Sequence, residues 1–149
     1  MSDPTASQHE INERIRQEHD RLRDLLGLIS REMSARKGTA AEIARQLRSL
    51  RDQLNAHFVE EEDHGFFEQI TSQAPRFSRE TSKLCDEHVD MLNKTDKLIS
   101  DAEEGDGSDN WWSGLVSAFH DLSRELMQHE HEENELLQKA YSDDIGEKD

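Results

Sequence analysis

Two stretches of this sequence that are rich in acidic residues carry a histidine four residues before a glutamate. The stretch HFVEEEDH contains His57 and Glu61, and the stretch HEHEENELL contains His129 and Glu133. Residues i and i+4 of an α-helix share a face, so each pair would present an imidazole and a carboxylate side by side. Imidazole nitrogens and carboxylate oxygens are suitable ligands for iron and related transition metals. The first hypothesis is therefore a metal site.

The apolar residues around these groups indicate whether they face solvent or a core. Four segments of the chain carry apolar residues in a stripe with the period of an α-helix. The stripes consist of Ile11, Ile15, Leu22, Leu26, Ile29 and Met33; Ile43, Leu47, Leu50 and Leu54; Leu84, Met91, Leu92, Leu98 and Ile99; and Trp112, Val116, Phe119, Leu126 and Leu137. Each stripe has a histidine within it or at its margin, and two also hold a glutamate; these polar residues are His19, His57, Glu61, His88, His129 and Glu133. The pattern predicts that all six point inward.

The helices that must position these residues can be outlined from the same stripes. We predict helices at residues 7–34, 39–72, 78–104 and 109–141, joined by short connections. The stretches SQHE and TAAE, which start at Ser7 and Thr39, are typical of capping boxes. Short connections between long amphipathic helices favour antiparallel neighbours. The predicted fold is all-α, an up-down-up-down antiparallel four-helix bundle formed by one domain over residues 1–149, with short flexible termini.

Counting residues along the antiparallel helices shows whether the inward polar groups meet. At about 1.5 Å per residue, the four histidines and two glutamates fall within roughly 13 Å along the bundle axis. A buried carboxylate needs a compensating charge, and no inward Lys or Arg is predicted at this level. Six nitrogen and oxygen ligands without a thiolate are too many for a tetrahedral zinc site. They suit two octahedral iron or manganese ions bridged by carboxylates.

The composition restricts the partners and the location of the protein. The formal net charge is −16, which argues against nucleic acids and anionic membrane surfaces as partners. No apolar run is long enough to span a membrane, and the first ten residues lack the pattern of a signal peptide. The single cysteine, Cys85, cannot form an internal disulfide and is predicted to be a small packing residue. We therefore expect a cytoplasmic protein.

These elements resemble the hemerythrin-like family, also called HHE cation-binding domains. The resemblance covers roughly residues 9–141 and rests on the stretches EHDRL, HFVEE, EHVDML and HEHEENELL. It implies a non-haem di-iron centre, with two iron ions joined by an oxo or hydroxo bridge. By the same resemblance, one iron would be bound by His19 and His57 and the other by His88 and His129. Glu61 and Glu133 would bridge the two.

The sequence departs from the oxygen-carrying hemerythrins at two places. Those proteins have HxxxH on the third helix, whereas Leu84 and Leu92 stand four residues before and after His88. They also end in HxxxxD, whereas this chain has HxxxE. It therefore resembles the branch with four histidines and two glutamates, which is associated with sensing and repair involving iron, oxygen or nitric oxide.

Three functional hypotheses follow. The first is a non-haem di-iron protein that binds or senses a small diatomic ligand, oxygen or nitric oxide, or responds to redox or iron state. The second is a di-iron enzyme, peroxidase-like or nitric-oxide-reducing, that uses the same centre. The third is a metal-free helical interaction module, and no protein partner is predicted. A ferritin-like site is disfavoured because only one E-x-x-H element, ending at His64, is present. His64 and Glu130 are further candidates for the site.

Overall fold

The computed structural model describes the backbone of residues 4–148 and the side chains of residues 7–142. The helices are α1 (Pro4–Ser34), α2 (Ala40–Asp63), α3 (Phe66–Gln73), a short 3-10 helix (Pro75–Phe77), α4 (Ser78–Glu103) and α5 (Asp109–Lys148). The described residues contain no strand. The four long helices pack in a closed ring, α1 on α2, α2 on α4, α4 on α5 and α5 on α1. The predicted all-α four-helix bundle is confirmed.

Some of the long helices begin or end where the sequence predicts, and others extend further. The hydroxyl of Thr39 accepts a hydrogen bond from the backbone N–H of Glu42 at 3.2 Å, as the capping box predicts. Helix α1 begins at Pro4, so the box predicted at Ser7 lies inside the helix. Proline suits this first helical position because its missing N–H would have no partner there. Helix α5 continues to Lys148, past the predicted end at Tyr141.

The segment predicted as one helix over residues 39–72 is two helices in the structure. Helix α2 ends at Asp63, and Gly65 has a φ of 101°, a conformation that residues with side chains rarely adopt. Helix α3 then runs in a new direction and contacts α1, α4 and α5. Its buried residues Phe66, Phe67 and Ile70 close one end of the bundle. The bend therefore provides an apolar floor below the predicted metal site.

Two apolar clusters form the core. The large cluster consists of Leu22, Leu26, Ile29, Met33, Ile43, Ala44, Leu47, Leu50, Leu54, Phe58, Met91, Leu98, Ala102, Trp112, Leu115, Phe119, Leu122 and Leu126. The small cluster consists of Ile15, Phe66, Phe67, Ile70, Ala74, Leu84, Leu136 and Ala140. In α1, His19 lies between Ile15 of the small cluster and Leu22 of the large one, and α4 and α5 likewise carry their polar residues between the two clusters. In α2, Glu61 follows the large cluster, and the small cluster continues in α3. The polar residues thus form one layer between two apolar clusters. None of the described helices is long and apolar enough to cross a membrane.

Candidate metal centre

The structure brings together all six residues singled out in the sequence. They come from the four long helices, and none is more than 4% exposed; they are His19, His57, Glu61, His88, His129 and Glu133. Each occupies an apolar-stripe position, so burying the stripe also buries the polar group. The helices therefore deliver four imidazoles and two carboxylates to one water-excluded layer.

The first half of the layer is formed by His19, His57, Glu61 and Glu133. One ligand atom from each lies within 4.8 Å of the others, a spacing that could hold one metal ion. The Nε2 atom of His57 is 3.4 Å from Oε1 of Glu61. The Nε2 atom of His19 is 3.8 Å from Oε2 of the same carboxylate. Two imidazoles from α1 and α2 thus converge on one carboxylate group.

The second half is formed by His88 and His129 together with the same two glutamates, again within 4.8 Å. The Nε2 atom of His88 is 3.1 Å from Oε1 of Glu61, and that of His129 is 2.9 Å from Oε1 of Glu133. The two Nε2 atoms are 2.9 Å apart. Because Glu61 and Glu133 belong to both halves, the layer could hold two cations that share two carboxylates.

Buried atoms without hydrogen bonds test whether a cation fits this layer. Among the described residues, both carboxylate oxygens of Glu61 and of Glu133 lack a hydrogen-bond partner. The Nε2 atoms of His19 and His57 lack one as well. Buried polar atoms are costly unless they are paired, and native proteins contain few of them. Six such atoms directed at one small volume fit bound metal, which would satisfy them all.

Three further carboxylates orient the histidines from outside the layer. The Nδ1 atom of His57 is 2.7 Å from Glu18, that of His88 is 3.1 Å from Glu62, and that of His129 is 2.8 Å from Glu87. An acceptor at Nδ1 fixes the tautomer, so that Nε2 is free to bind a metal. The periodicity of the sequence did not predict these three glutamates. Each stands next to a predicted site residue in the chain, but its partner is on another helix, which periodicity does not reveal.

The carboxylates in and around the layer shift the pKa values of its ionisable groups. Burial alone would lower the pKa of His57, but its contacts with Glu18 and Glu61 raise that pKa to about 9. Burial alone would raise the pKa of Glu61, but the neighbouring His19, His57 and His88 hold that pKa well below its usual range. Without metal, the first half of the layer therefore favours an ionised Glu61 beside a protonated His57, whereas burial lowers the pKa of His129 in the second half. A cation would take the place of those protons.

The two halves of the layer have different surroundings. On one side, the ring of Phe58 stacks on His88 with 3.9 Å between ring centroids, and Phe67 lies 5.6 Å from the same imidazole. Between α1 and α5, Glu130 is buried, with an Nη2 atom of Arg23 at 3.7 Å. Burial raises the pKa of the Glu130 carboxyl. Aromatic rings therefore pack on one imidazole of the second half, and a buried carboxylate lies between α1 and α5.

The remaining histidines lie outside the layer. His64 is exposed and caps α2 through its backbone N–H, which donates to the carbonyl of Glu60. The side chain of His131 is 64% exposed and pairs with Glu135 on the surface. His9 and His120 are also exposed. The structure thus does not bring His64 to the site.

Comparison with known proteins provides evidence for the family of the chain that is independent of the geometry of the layer. Comparisons with curated proteins and with solved structures gave no match. A family model described as the hemerythrin HHE cation-binding domain matches residues 10–141, which is nearly the whole chain and includes all six residues of the layer. The chain therefore belongs to the hemerythrin HHE cation-binding family, as its motifs and its bundle indicated.

Proposed function

We propose that this protein binds two iron ions in the buried layer and uses them to bind or sense oxygen or nitric oxide. The observation that supports this most strongly is that Glu61 and Glu133 belong to both four-residue groups. A carboxylate with its two oxygens directed at two neighbouring positions is suited to bridge two cations. His19 and His57 would bind one ion, and His88 and His129 the other.

The chemistry of the ligands favours iron over other common metals. Each position offers two imidazole nitrogens and two carboxylate oxygens, a set that suits six-coordinate iron or manganese. A structural zinc site would be tetrahedral and would commonly include thiolates, and the only cysteine, Cys85, lies outside the layer. When bound, iron would supply redox chemistry and coordination positions that the protein does not fill. One such position on each ion would be open to a bridging oxygen or a small ligand.

The surroundings of the layer favour a ligand of very few atoms. Two surface grooves reach the layer at the outer edges of two histidines. One, of about 380 Å³, lies between α4 and α5 and is lined by Glu87 and His129 among others. The other, of about 290 Å³, lies beside Glu18 and His57. Because both histidines are buried and the floor is filled by phenylalanines, a diatomic molecule is a more suitable ligand than a bulky substrate.

A di-iron enzyme, peroxidase-like or nitric-oxide-reducing, is the second candidate. The outer carboxylates are the observation in its favour, because the side chains of Glu18, Glu62 and Glu87 are partly exposed and also touch an imidazole of the layer. Reduction of peroxide or nitric oxide consumes protons, and these side chains connect the layer with solvent. The same six residues would bind the metal in either case.

Metal analysis and a spectrum of the aerobically purified protein test this proposal. We expect two iron ions per chain and near-ultraviolet charge-transfer bands that azide or nitric oxide perturbs. Because Leu84 and Leu92 flank His88 in place of a further histidine, the reduced protein should oxidise in air rather than carry oxygen reversibly. Turnover with peroxide or nitric oxide would favour the enzyme. A protein that takes up no iron when refolded with ferrous salt would contradict both candidates.

A further inference from the structure

In the second half of the layer, both imidazoles have a carboxylate on the side that faces away from the layer. Glu62 of α2 lies 3.1 Å from Nδ1 of His88, and Glu87 of α4 lies 2.8 Å from Nδ1 of His129. Each contact joins two helices, so the packing of α2, α4 and α5 fixes it. The side chains of Glu62 and Glu87 are 38% and 32% exposed. The second half therefore has two outer carboxylates that solvent reaches on one side.

In the first half, only one of the two imidazoles has such a carboxylate. Glu18 of α1 lies 2.7 Å from Nδ1 of His57, and its side chain is 17% exposed. Among the described residues, the ion pair of His19 involves its Nε2 atom inside the layer, and no carboxylate pairs with its Nδ1 atom. The buried Glu130 pairs with Arg23 and not with an imidazole. The first half therefore has one outer carboxylate, against two in the second.

A carboxylate at Nδ1 makes an imidazole a stronger electron donor at Nε2. The carboxylate accepts the hydrogen bond of the Nδ1–H group, which raises the basicity of the ring. Its negative charge also lies near any cation that Nε2 binds, and the Coulomb attraction is larger for a cation of higher charge. Both effects favour ferric over ferrous iron. Hydrogen bonds to the ligands are one of the means by which proteins set the reduction potential of iron.

We propose that the three outer carboxylates, which belong to Glu18, Glu62 and Glu87, are positioning residues that lower the reduction potential of the bound iron. This inference rests on the proposed two-iron function. Glu18 and Glu87 are matched, one in each half and at nearly equal distances, so the difference between the halves comes from Glu62. The ion held by His88 and His129 would therefore have the lower potential and would be the first of the two to lose an electron.

Glutamine variants separate the charge of an outer carboxylate from its hydrogen bond. The amide oxygen of glutamine can still accept from Nδ1, so the ring keeps its orientation while the negative charge is lost. Glu87→Gln should therefore retain two iron ions and raise the potential of the step at the lower potential. Loss of such a partner typically changes metal affinity roughly 10- to 100-fold. A change of that size in the affinity for ferric iron alone is about 60 to 120 mV for one electron.

An anaerobic spectroelectrochemical titration of the iron-loaded protein measures the two one-electron steps. Glu62→Gln should raise the same lower-potential step as Glu87→Gln and bring the two steps closer together. Glu18→Gln should chiefly raise the step at the higher potential. Glu132→Gln is the matched control, because Glu132 lines the same groove as Glu87 but accepts its hydrogen bond from Gln128. This control should change neither step.

Four results would contradict the proposal. Variants that bind both ions at wild-type potentials would show that the carboxylates only orient the rings, and loss of iron from Glu62→Gln and Glu87→Gln alike would assign them a purely structural role. Equal shifts in Glu87→Gln and Glu132→Gln would assign the effect to the general charge of the surface. A larger effect of Glu18→Gln on the lower-potential step would reverse the order of the two positions. Wild-type protein that binds no iron would instead overturn the proposed function on which this inference rests.

Discussion

At the scale of single residues, the register of α5 decides which histidine belongs to the layer. The stretch HEHEE offers two HxxxE pairs two residues apart. His129 is 2.9 Å from Glu133 in the buried layer, whereas His131 pairs with Glu135 on the surface at 3.2 Å. Both pairs have the same spacing and chemistry, so only their position relative to the apolar stripe distinguishes them. They form a natural pair of test and control.

We expect His129→Ala to lose bound metal and His131→Ala to retain the wild-type content. Removing His129 would take away one of the proposed ligands of the second metal position and leave Glu133 without its neighbouring imidazole. Removing His131 affects only a solvated pair, which contributes at most about 1 kcal/mol to stability. Metal content after purification measures the result. If His131→Ala were the variant that lost metal, the assignment of the layer would be wrong.

Cys85 is expected to be an unreactive thiol. Burial raises its pKa to about 12, and the nearby Glu62 carboxylate adds to this effect. The thiolate is the reactive form, so alkylation of the native protein near pH 8 should be roughly 100-fold or more slower than that of an ordinary cysteine. The rate with iodoacetamide should still be rising steeply at pH 10, while that of the urea-unfolded chain should be half-maximal near about pH 8.5. A native plateau below pH 9 would contradict this and favour a redox role.

Periodicity predicted the six residues of the layer because each lies in an apolar stripe. It could not predict Glu18, Glu62 or Glu87, which contact histidines across helix pairs. Their positions lie at the edge of the stripes, where charged residues are also ordinary surface residues. Only the packing of one helix on the next, which has no local signal in the sequence, makes them part of the site.

At the scale of the helices, the bend between α2 and α3 is the feature that the sequence analysis did not predict. The apolar pattern continues through Phe66, Phe67 and Ile70, so periodicity alone predicts one helix across it. The break depends on Gly65, which has a φ of 101°. Glycine inside a helical pattern is a weak signal, because a continuous helix tolerates it at a cost of about 1 kcal/mol. The N-cap at Thr39, by contrast, follows a specific local signal, and its hydroxyl accepts the predicted bond from the Glu42 N–H.

Replacing Gly65 by alanine should destabilise the protein by about 1–2 kcal/mol. The new Cβ would occupy a left-handed backbone conformation and would also meet the Cδ1 atom of Ile11 at 3.2 Å. Gly114→Ala is the matched control, since Gly114 lies in α5 with nothing within 4 Å of an added Cβ. That change should stabilise the fold by about 0.5–1 kcal/mol through helix propensity. Urea unfolding of the metal-free protein measures the change in stability for both variants. If the two substitutions had equal effects, the bend at Gly65 would be contradicted.

At the scale of the whole molecule, a strongly acidic chain encloses an acidic centre. The formal net charge is −16, so folding brings many negative charges together. The bundle also buries two carboxylates whose four oxygens have no hydrogen-bond partner among the described residues. Apolar packing above and below the layer must hold these groups in place when no metal is bound. Bound cations would neutralise the buried carboxylates, so metal content and stability should be closely linked.

Chelation of the metal should therefore lower the thermal midpoint substantially. A ligand at 100 times its dissociation constant stabilises the native state by about 2.7 kcal/mol, so two ions would contribute about 5 kcal/mol. At this chain length, each kcal/mol shifts the midpoint by roughly 2–4 °C, which gives an expected fall of about 10 °C or more. Calorimetry with and without a chelator measures this shift.

General screening of the negative charge must be distinguished from binding at the layer. Screening acts on exposed charges and would be reproduced by raised salt, whereas a buried site responds little to ionic strength. Magnesium, which prefers oxygen ligands, should restore little of the lost midpoint in chelated protein, while ferrous iron should restore all of it. The His129→Ala variant should gain less from iron than wild type, because one metal position lacks a ligand. If salt or magnesium restored the midpoint as well as iron does, the acidic surface rather than the buried layer would be responsible for the stabilisation.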